Sequence, residues 1–373
     1  MDGLVCQACG ATYSLDEPRW RCKCGGVLDV EFAPAFDLAR IRQRPPTLWR
    51  YREALPIRDD ANRVSFCEGL TPLIETEIGG RSVFVKQEHL FPTGSFKDRG
   101  ASVLVSKIRE LGIRRVVEDS SGNAGCAVAA YCARADIECE IFVPADTAEA
   151  KLTQIRLYGA RLRRIPGTRE DTARAAWDAA QHKYYASHVW NPFFLQGTKT
   201  FAYEVCEQMG WQAPDTVVLP VGHGTLLLGA YIGFRDLQGA GIIGRLPKLI
   251  GVQAMASAPV YEAFLRGMEQ PLTIAKRPTI AEGIAIAEPV RGKQVLRVVR
   301  ETNGRILAVE ETEIADALLA MCRKGFYIEP TSAAAIAGVR RYIQQAQPDE
   351  VIVSALTGHG LKATEKMAKI AAG

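Results

Sequence analysis

No apolar run in this 373-residue chain reaches the roughly 18 residues that a membrane-spanning helix needs. The N-terminus, MDGLVCQACG, has neither a basic n-region nor an apolar h-region. The sequence therefore predicts no export and a cytoplasmic location. Charge of one sign is also missing. Lys and Arg total 46 against 42 Asp and Glu, a net charge of +4 that is too small for a nucleic-acid surface. Ten cysteines are too sparse for a disulfide scaffold. What is present is ordinary for a folded protein, 47% apolar and 24% charged residues. At roughly 150 residues per domain, the length suggests two or three domains.

The cysteines are unevenly placed. Cys6, Cys9, Cys22 and Cys24 fall in two short knuckles, each followed by glycine. That pattern reads as a zinc ribbon, with four thiolates closing a tetrahedral structural site. The second knuckle has one residue between its cysteines where two are usual, so a ribbon that packs without metal is the competing reading. The other six cysteines read as small buried hydrophobes.

After the ribbon, the Pro- and Arg-rich stretch from Ile41 to Pro56 reads as a linker or surface arm. Beyond it, β-branched runs alternate with helical-period runs. Strands are predicted at Val83–Gln87, Arg115–Asp119, Ile137–Val143, Thr216–Val221, Leu249–Gln253 and Glu350–Ala355. Helices are predicted at Gly100–Leu111, Asn123–Ala135 and Ala148–Tyr158. The alternation implies an α/β fold with largely parallel sheets, whose ligands bind beyond the C-terminal strand ends.

Four loops carry candidate chemistry. In Pro92–Gly100 (PTGSFKDRG), Lys97 follows Phe96 at a helix start. A desolvated lysine can form a Schiff base, although alone this is also a surface lysine at a helix N-terminus. Ser120–Gly125 (SSGNAG) offers backbone amides and the Asn123 carboxamide to an anion, or is a simple N-cap. Val221–Leu226 (VGHGTL) is a phosphate cradle at a helix N-terminus. It lacks the third glycine of a dinucleotide fingerprint, which disfavours a nicotinamide-dependent oxidoreductase. His223 is a candidate base or merely shapes that loop. In Leu356–Lys362 (LTGHGLK), the Thr357 hydroxyl stands at a strand end, where it can meet a ring nitrogen or form an ordinary turn.

Taken together, in this order and spacing, these loops resemble the fold-type II pyridoxal 5'-phosphate (PLP) enzymes, and within them the threonine synthases. EGLTPL at 68–73, NPFFLQGTKT at 191–200 and the ribbon also correspond. The resemblance implies two three-layer α/β domains behind a zinc-ribbon-like segment at 1–32. The larger PLP-binding domain would take 33–85 plus 196–373, and the smaller 86–195. Lys97 would form the Schiff base with PLP and shuttle protons. Phe96, Asn123, Gly222, His223, Gly224, Thr225 and Thr357 would bind the cofactor. Ser120, Ser121, Gly122, Ala124, Phe194 and Lys199 would meet the substrate. Structural zinc at Cys6, Cys9, Cys22 and Cys24 and a homodimer complete the expectation. The partner is a small amino acid, with no nucleic acid or membrane. The implied activity is conversion of O-phosphohomoserine and water to threonine and phosphate.

The sequence departs from the family at Ala124, Val189, Phe194 and His223, where threonine synthases usually place groups that hold the substrate's phosphate. Phe194 stands in place of an arginine. Two consequences compete. Other cations, such as Lys199, His188 or Arg99, rebuild the phosphate site. Alternatively, the enzyme is an ammonia-lyase of the serine or threonine dehydratase type, or a β-replacing synthase, acting on a less anionic amino acid. Phe194, Trp190 and Phe193 would then line the pocket, unless they are core.

Overall fold

The valine- and isoleucine-rich runs form two separate sheets, each with its own core. The computed structural model describes residues 2–275 and 277–372. They divide into two compact units. The first comprises the residues through Gly69 together with Lys97–Thr198, and the second comprises Leu70–Phe96 together with the residues from Lys199 onward. The stretch 33–69, which the sequence reading assigns to the larger domain, thus groups with the first unit.

The first unit opens with a small antiparallel sheet. Gly3–Cys6 lies between Thr12–Tyr13 and Leu28–Glu31. Its main sheet is parallel and four-stranded, in the order Arg161–Ile165, Glu138–Pro144, Arg115–Glu118, Tyr184–Tyr185. Val116, Val117, Ile141 and Val143 are fully buried in it. Both faces of such a strand are covered, which is why these runs are continuously apolar rather than alternating. Helices Lys97–Glu110, Asn123–Arg134 and Pro192–Thr198 belong to this unit.

The second unit has a six-stranded sheet, in the order Arg305–Val309, Lys248–Ala254, Thr216–Pro220, Ile352–Ala355, Arg81–Lys86, Leu73–Ile78. All neighbours are parallel except the last pair. Thr216–Pro220 sits inside the sheet and every residue of it is buried. The helix Thr225–Gly239 leaves its C-terminal end, and the helix Pro330–Tyr342 packs on Thr216–Pro220 and Lys248–Ala254. Among the described residues no helix is long and apolar enough to cross a membrane.

One expectation is overturned. Ile41–Pro56 is not a surface arm. Leu48–Ala54 forms a short 3₁₀ segment with Leu48, Trp49, Tyr51 and Ala54 buried. Trp49 donates its indole N–H to Ser102 Oγ at 3.1 Å, and Arg50 donates to the Ile41 carbonyl at 2.7 Å. The prolines and arginines mark turns and snorkelling charges around an apolar stripe, which a composition count hides.

Candidate active site

In the first unit, the strand Arg115–Glu118 ends beside two chemistry-bearing loops. Lys97 is the first residue of its helix, half-buried, with its Nζ 5.7 Å from the centre of the Phe194 ring. Phe194 is fully buried. A Cβ added to Gly100, one turn along from Lys97, would lie 2.3 Å from that ring, so glycine is what lets the phenylalanine lie against the helix. Phe193 is likewise buried, and Trp190 is partly so. Ser120, Ser121, Gly122 and Asn123 are accessible at the turn into the next helix, whereas Ala124 is buried. Ala124 and Val189 offer no polar group there, and both are nearly inaccessible.

Beneath that turn lies a polar network that local sequence does not announce. Glu118 is fully buried and its Oε1 lies 2.7 Å from His188 Nδ1. Burial pushes the Glu118 carboxyl well above the usual carboxylate range, and the neighbouring charge of Asp119 pushes it further. Asp119 in turn accepts from the Tyr185 hydroxyl and from Arg169, both at 2.6 Å. The Glu118-Asp119 pair at the strand end ahead of Ser120 is the available signal; its partners 50 to 70 residues away are not readable from sequence.

In the second unit, the loop after Thr216–Pro220 turns through Gly222 and Gly224 into a helix. Gly224 has φ +83°, and a Cβ there would sit 2.3 Å from Val295 Cγ2. Gly224, at the N-cap of the helix that begins at Thr225, has no side chain to cap it, and the helix start turns its backbone N–H groups toward this loop. Gly222, Gly224 and Thr225 are buried and His223 is partly exposed. Thr357 is buried, its hydroxyl 3.1 Å from Ser332 Oγ and 3.5 Å from Glu329 Oε1. The first half of the lysine motif is laced to this loop. Phe96 N–H donates to the Thr357 carbonyl at 3.0 Å, and His359 N–H donates to the Gly94 carbonyl at 2.9 Å. The residue directly before Lys97 is thereby fixed on Thr357. Lys199 pairs with Asp236 at 2.9 Å, fully buried, and burial holds its amine below the ordinary lysine range. Arg99 is fully buried as well.

His89 packs against the same loop, its ring 5.6 Å from that of His359. Burial, and then the charge of His359, hold the His89 imidazole down at about 4. An unfolded histidine titrates near 6.5, so the unfolded chain gains a proton over the pH range where the folded chain does not. Stability is therefore expected to fall from about pH 6.5 down to about pH 4 and to be flat with respect to this group above that range. Urea midpoints measured across pH should show the slope reduced in His89→Leu. Parallel profiles for the two proteins would refute the assignment.

The four N-terminal cysteines converge, with all sulfurs within 4.8 Å of one another. They are far from sparse locally and suit a thiolate-bound metal ion.

The family described as pyridoxal-phosphate dependent enzyme matches residues 64–358. A threonine synthase of Methanocaldococcus jannaschii is 38% identical, over 96% of this chain and 92% of its own length. One of Methanosarcina acetivorans is 37% identical over the same shares. Among solved structures, a threonine deaminase from T.th. aligns with a TM-score of 0.65 at 25% identity, covering 78% of this chain and 92% of that one. A threonine deaminase isoform of Solanum lycopersicum aligns at 0.70 with 21% identity, covering 91% of each chain, which speaks to the fold alone.

Proposed function

The chain belongs to the pyridoxal-phosphate-dependent enzymes, and on that premise we propose that it is a threonine synthase, which turns O-phosphohomoserine and water into threonine and phosphate. The observation that carries this reading is 38% identity sustained over 92% of the length of a threonine synthase. Family membership supplies an amino-acid substrate. A cytoplasmic homodimer is the form this reading expects.

The residues fit the cofactor. The helix start at Thr225 and the side-chain-free positions Gly222 and Gly224 suit a phosphate group, with His223 beside them. The Thr357 hydroxyl suits a ring nitrogen, Asn123 a ring hydroxyl, and Phe96 a flat ring face. PLP would supply electron withdrawal from the substrate's α-carbon, which makes its protons removable. Lys97 would hold the cofactor covalently at rest and, once displaced, carry the α-proton on its amine. Ser120, Ser121, Gly122 and the backbone at Ala124 would bind the substrate carboxylate. Phe194 would close off water on one side of the Lys97 amine. Lys199 is committed to Asp236 and has no part in this scheme.

Gly224→Ala forces an L-residue into the left-handed region at about 1–2 kcal/mol, on top of the approach to Val295. PLP titration followed by absorbance should show its affinity weakened by about tenfold or more. Unchanged affinity would count against the cradle.

Phe194 favours a second reading, a dehydratase acting on serine or threonine, because its ring offers nothing to a substrate phosphate. Purified holoenzyme given O-phosphohomoserine, serine or threonine separates the two. Threonine and inorganic phosphate from the first substrate support the synthase. Ammonia and an oxoacid from the others, with no response to O-phosphohomoserine, would replace it with the dehydratase.

A further inference from the structure

The N-terminal cysteines form a cage that disulfide chemistry does not describe. Cys6 and Cys24 sulfurs are 3.5 Å apart, and those of Cys9 and Cys22 are 3.6 Å apart. A disulfide would draw a pair to about 2.05 Å. A tetrahedral ion with metal–sulfur bonds of about 2.3 Å spaces its ligands about 3.8 Å apart. The observed spacings sit near the second value, and all four sulfurs converge within 4.8 Å rather than two by two. Backbone amides already face the sulfurs: Ala8 N–H donates to Cys6 Sγ and Gly26 N–H to Cys24 Sγ, both at 3.4 Å. The Tyr13 hydroxyl lies 3.0 Å from Cys22 Sγ. A Cβ on Gly26 would stand 2.9 Å from Cys6 Sγ and 2.8 Å from Ala8 Cβ. The glycine after the tight second knuckle is thus what lets four ligands meet.

Between the knuckles, Trp20 leaves the ribbon and enters an aromatic box in the same unit. Its ring meets Tyr185 at 4.9 Å, Trp177 at 5.7 Å and Trp190 at 6.2 Å, all edge to face. Arg21 lies over both Trp20 and Trp177, at 4.6 and 4.4 Å. The Tyr184 hydroxyl donates to the Arg19 carbonyl at 3.3 Å and accepts from Asn191. The box borders the chemistry described above. Tyr185 holds Asp119, the residue before Ser120, and Trp190 stands two residues from His188, which pairs with Glu118. Trp20 lies two residues before Cys22, so what orders the second knuckle also restrains Trp20.

We propose that the zinc-class ion expected at Cys6, Cys9, Cys22 and Cys24 locks Trp20 into the wall that positions Asp119 and the Ser120 loop. Four protein ligands leave no open coordination position, so the ion is structural and takes no part in turnover. Each thiol releases its proton to water on binding. The second half of the proposal rests on Ser120–Ala124 being the substrate loop; the first half does not.

The full chain is assayed for metal, for thiols that react with an alkylating reagent, and for tryptophan emission. The three states compared are as purified, after chelation, and after zinc is returned. Cys9→Ser/Cys24→Ser alters two exposed ligands, and Trp20→Ala leaves the cage intact. The proposal expects one zinc per chain as purified, with the four thiols protected. Chelation or the cysteine substitutions should remove the ion, expose the thiols and red-shift the emission, and zinc should reverse the chelated state alone. Trp20→Ala should keep its zinc and reproduce the KM rise of the chelated enzyme, about tenfold with kcat little changed. Absence of zinc from a chain with four reactive thiols, or two disulfides in their place, overturns the metal site. Loss of zinc with emission and KM unmoved overturns the coupling. Metal, thiol and emission readouts need no turnover, so they stand even if the chain makes no threonine.

Discussion

Lys97→Ala is expected to lower turnover by at least about 10³-fold, since one substitution removes both a covalent anchor and a proton carrier. Asp98 and Arg99 are fully buried, and the side chain closest to the amine on the Phe194 side is a hydrocarbon ring. Borohydride reduction of wild-type holoenzyme should fix PLP on the peptide that contains Lys97, as read by mass spectrometry, and the alanine variant should give no such peptide. Lys97→Arg keeps the charge but has no amine that can lose its proton near neutral pH, so it should be as inactive as alanine. Turnover within tenfold of wild type in either variant, or the adduct on another lysine, would remove Lys97 from the reaction.

The loops that suggest this chemistry were legible because each is short and its glycines have a local reason to be there. VGHGT needs an αL residue at Gly224; that demand is written into five consecutive residues, whereas the close approach to Val295 is not. The sheets were legible where both faces are buried, as in Val116–Val117 and Val217–Leu219. They were illegible at the edges. Arg161–Ile165 reads RLRRI, a charged run, because its outer positions face solvent. Arg305–Val309 and Leu73–Ile78 are edge strands too, and their mixed patterns match neither template. Trp49 was hidden for another reason: it donates to Ser102, 53 residues away, and shares a buried cluster with Val103, while the stretch around it is rich in arginine and proline. Phe194 shows the same limit at the site. Sequence gives the residue but not its bed, and only the fold shows Gly100 cleared to receive it. Long-range charge pairs are the extreme case, since nothing around either partner signals the other.

One such pair carries the largest expected stability effect. Lys86 and Glu204 are both fully buried, 2.8 Å apart, and lie 118 residues apart in sequence. Lys86 Nζ also donates to Gln208 Oε1 at 2.7 Å and to the Thr71 carbonyl, and Glu204 Oε2 accepts the Thr71 N–H at 3.2 Å. An ammonium in such a place is tolerable only with its carboxylate, because burying one charge alone costs far more than burying the pair. Glu204→Ala should therefore cost about 3–5 kcal/mol, a drop in melting temperature on the order of 10 °C for a unit of this size. The damage should not stay local. The Lys86 carbonyl accepts from Leu356 N–H at 2.9 Å, immediately before Thr357, so PLP retention should weaken as well. Replacing both partners with apolar residues of similar length, Lys86→Met with Glu204→Leu, removes the stranded charge. That double variant should regain most of the lost melting temperature even though it has one more substitution. Scanning calorimetry of wild type, single and double variants decides the matter. A double variant no more stable than Glu204→Ala would mean that the pair's hydrogen bonds to Thr71 and Gln208, rather than an uncompensated charge, hold this part of the sheet.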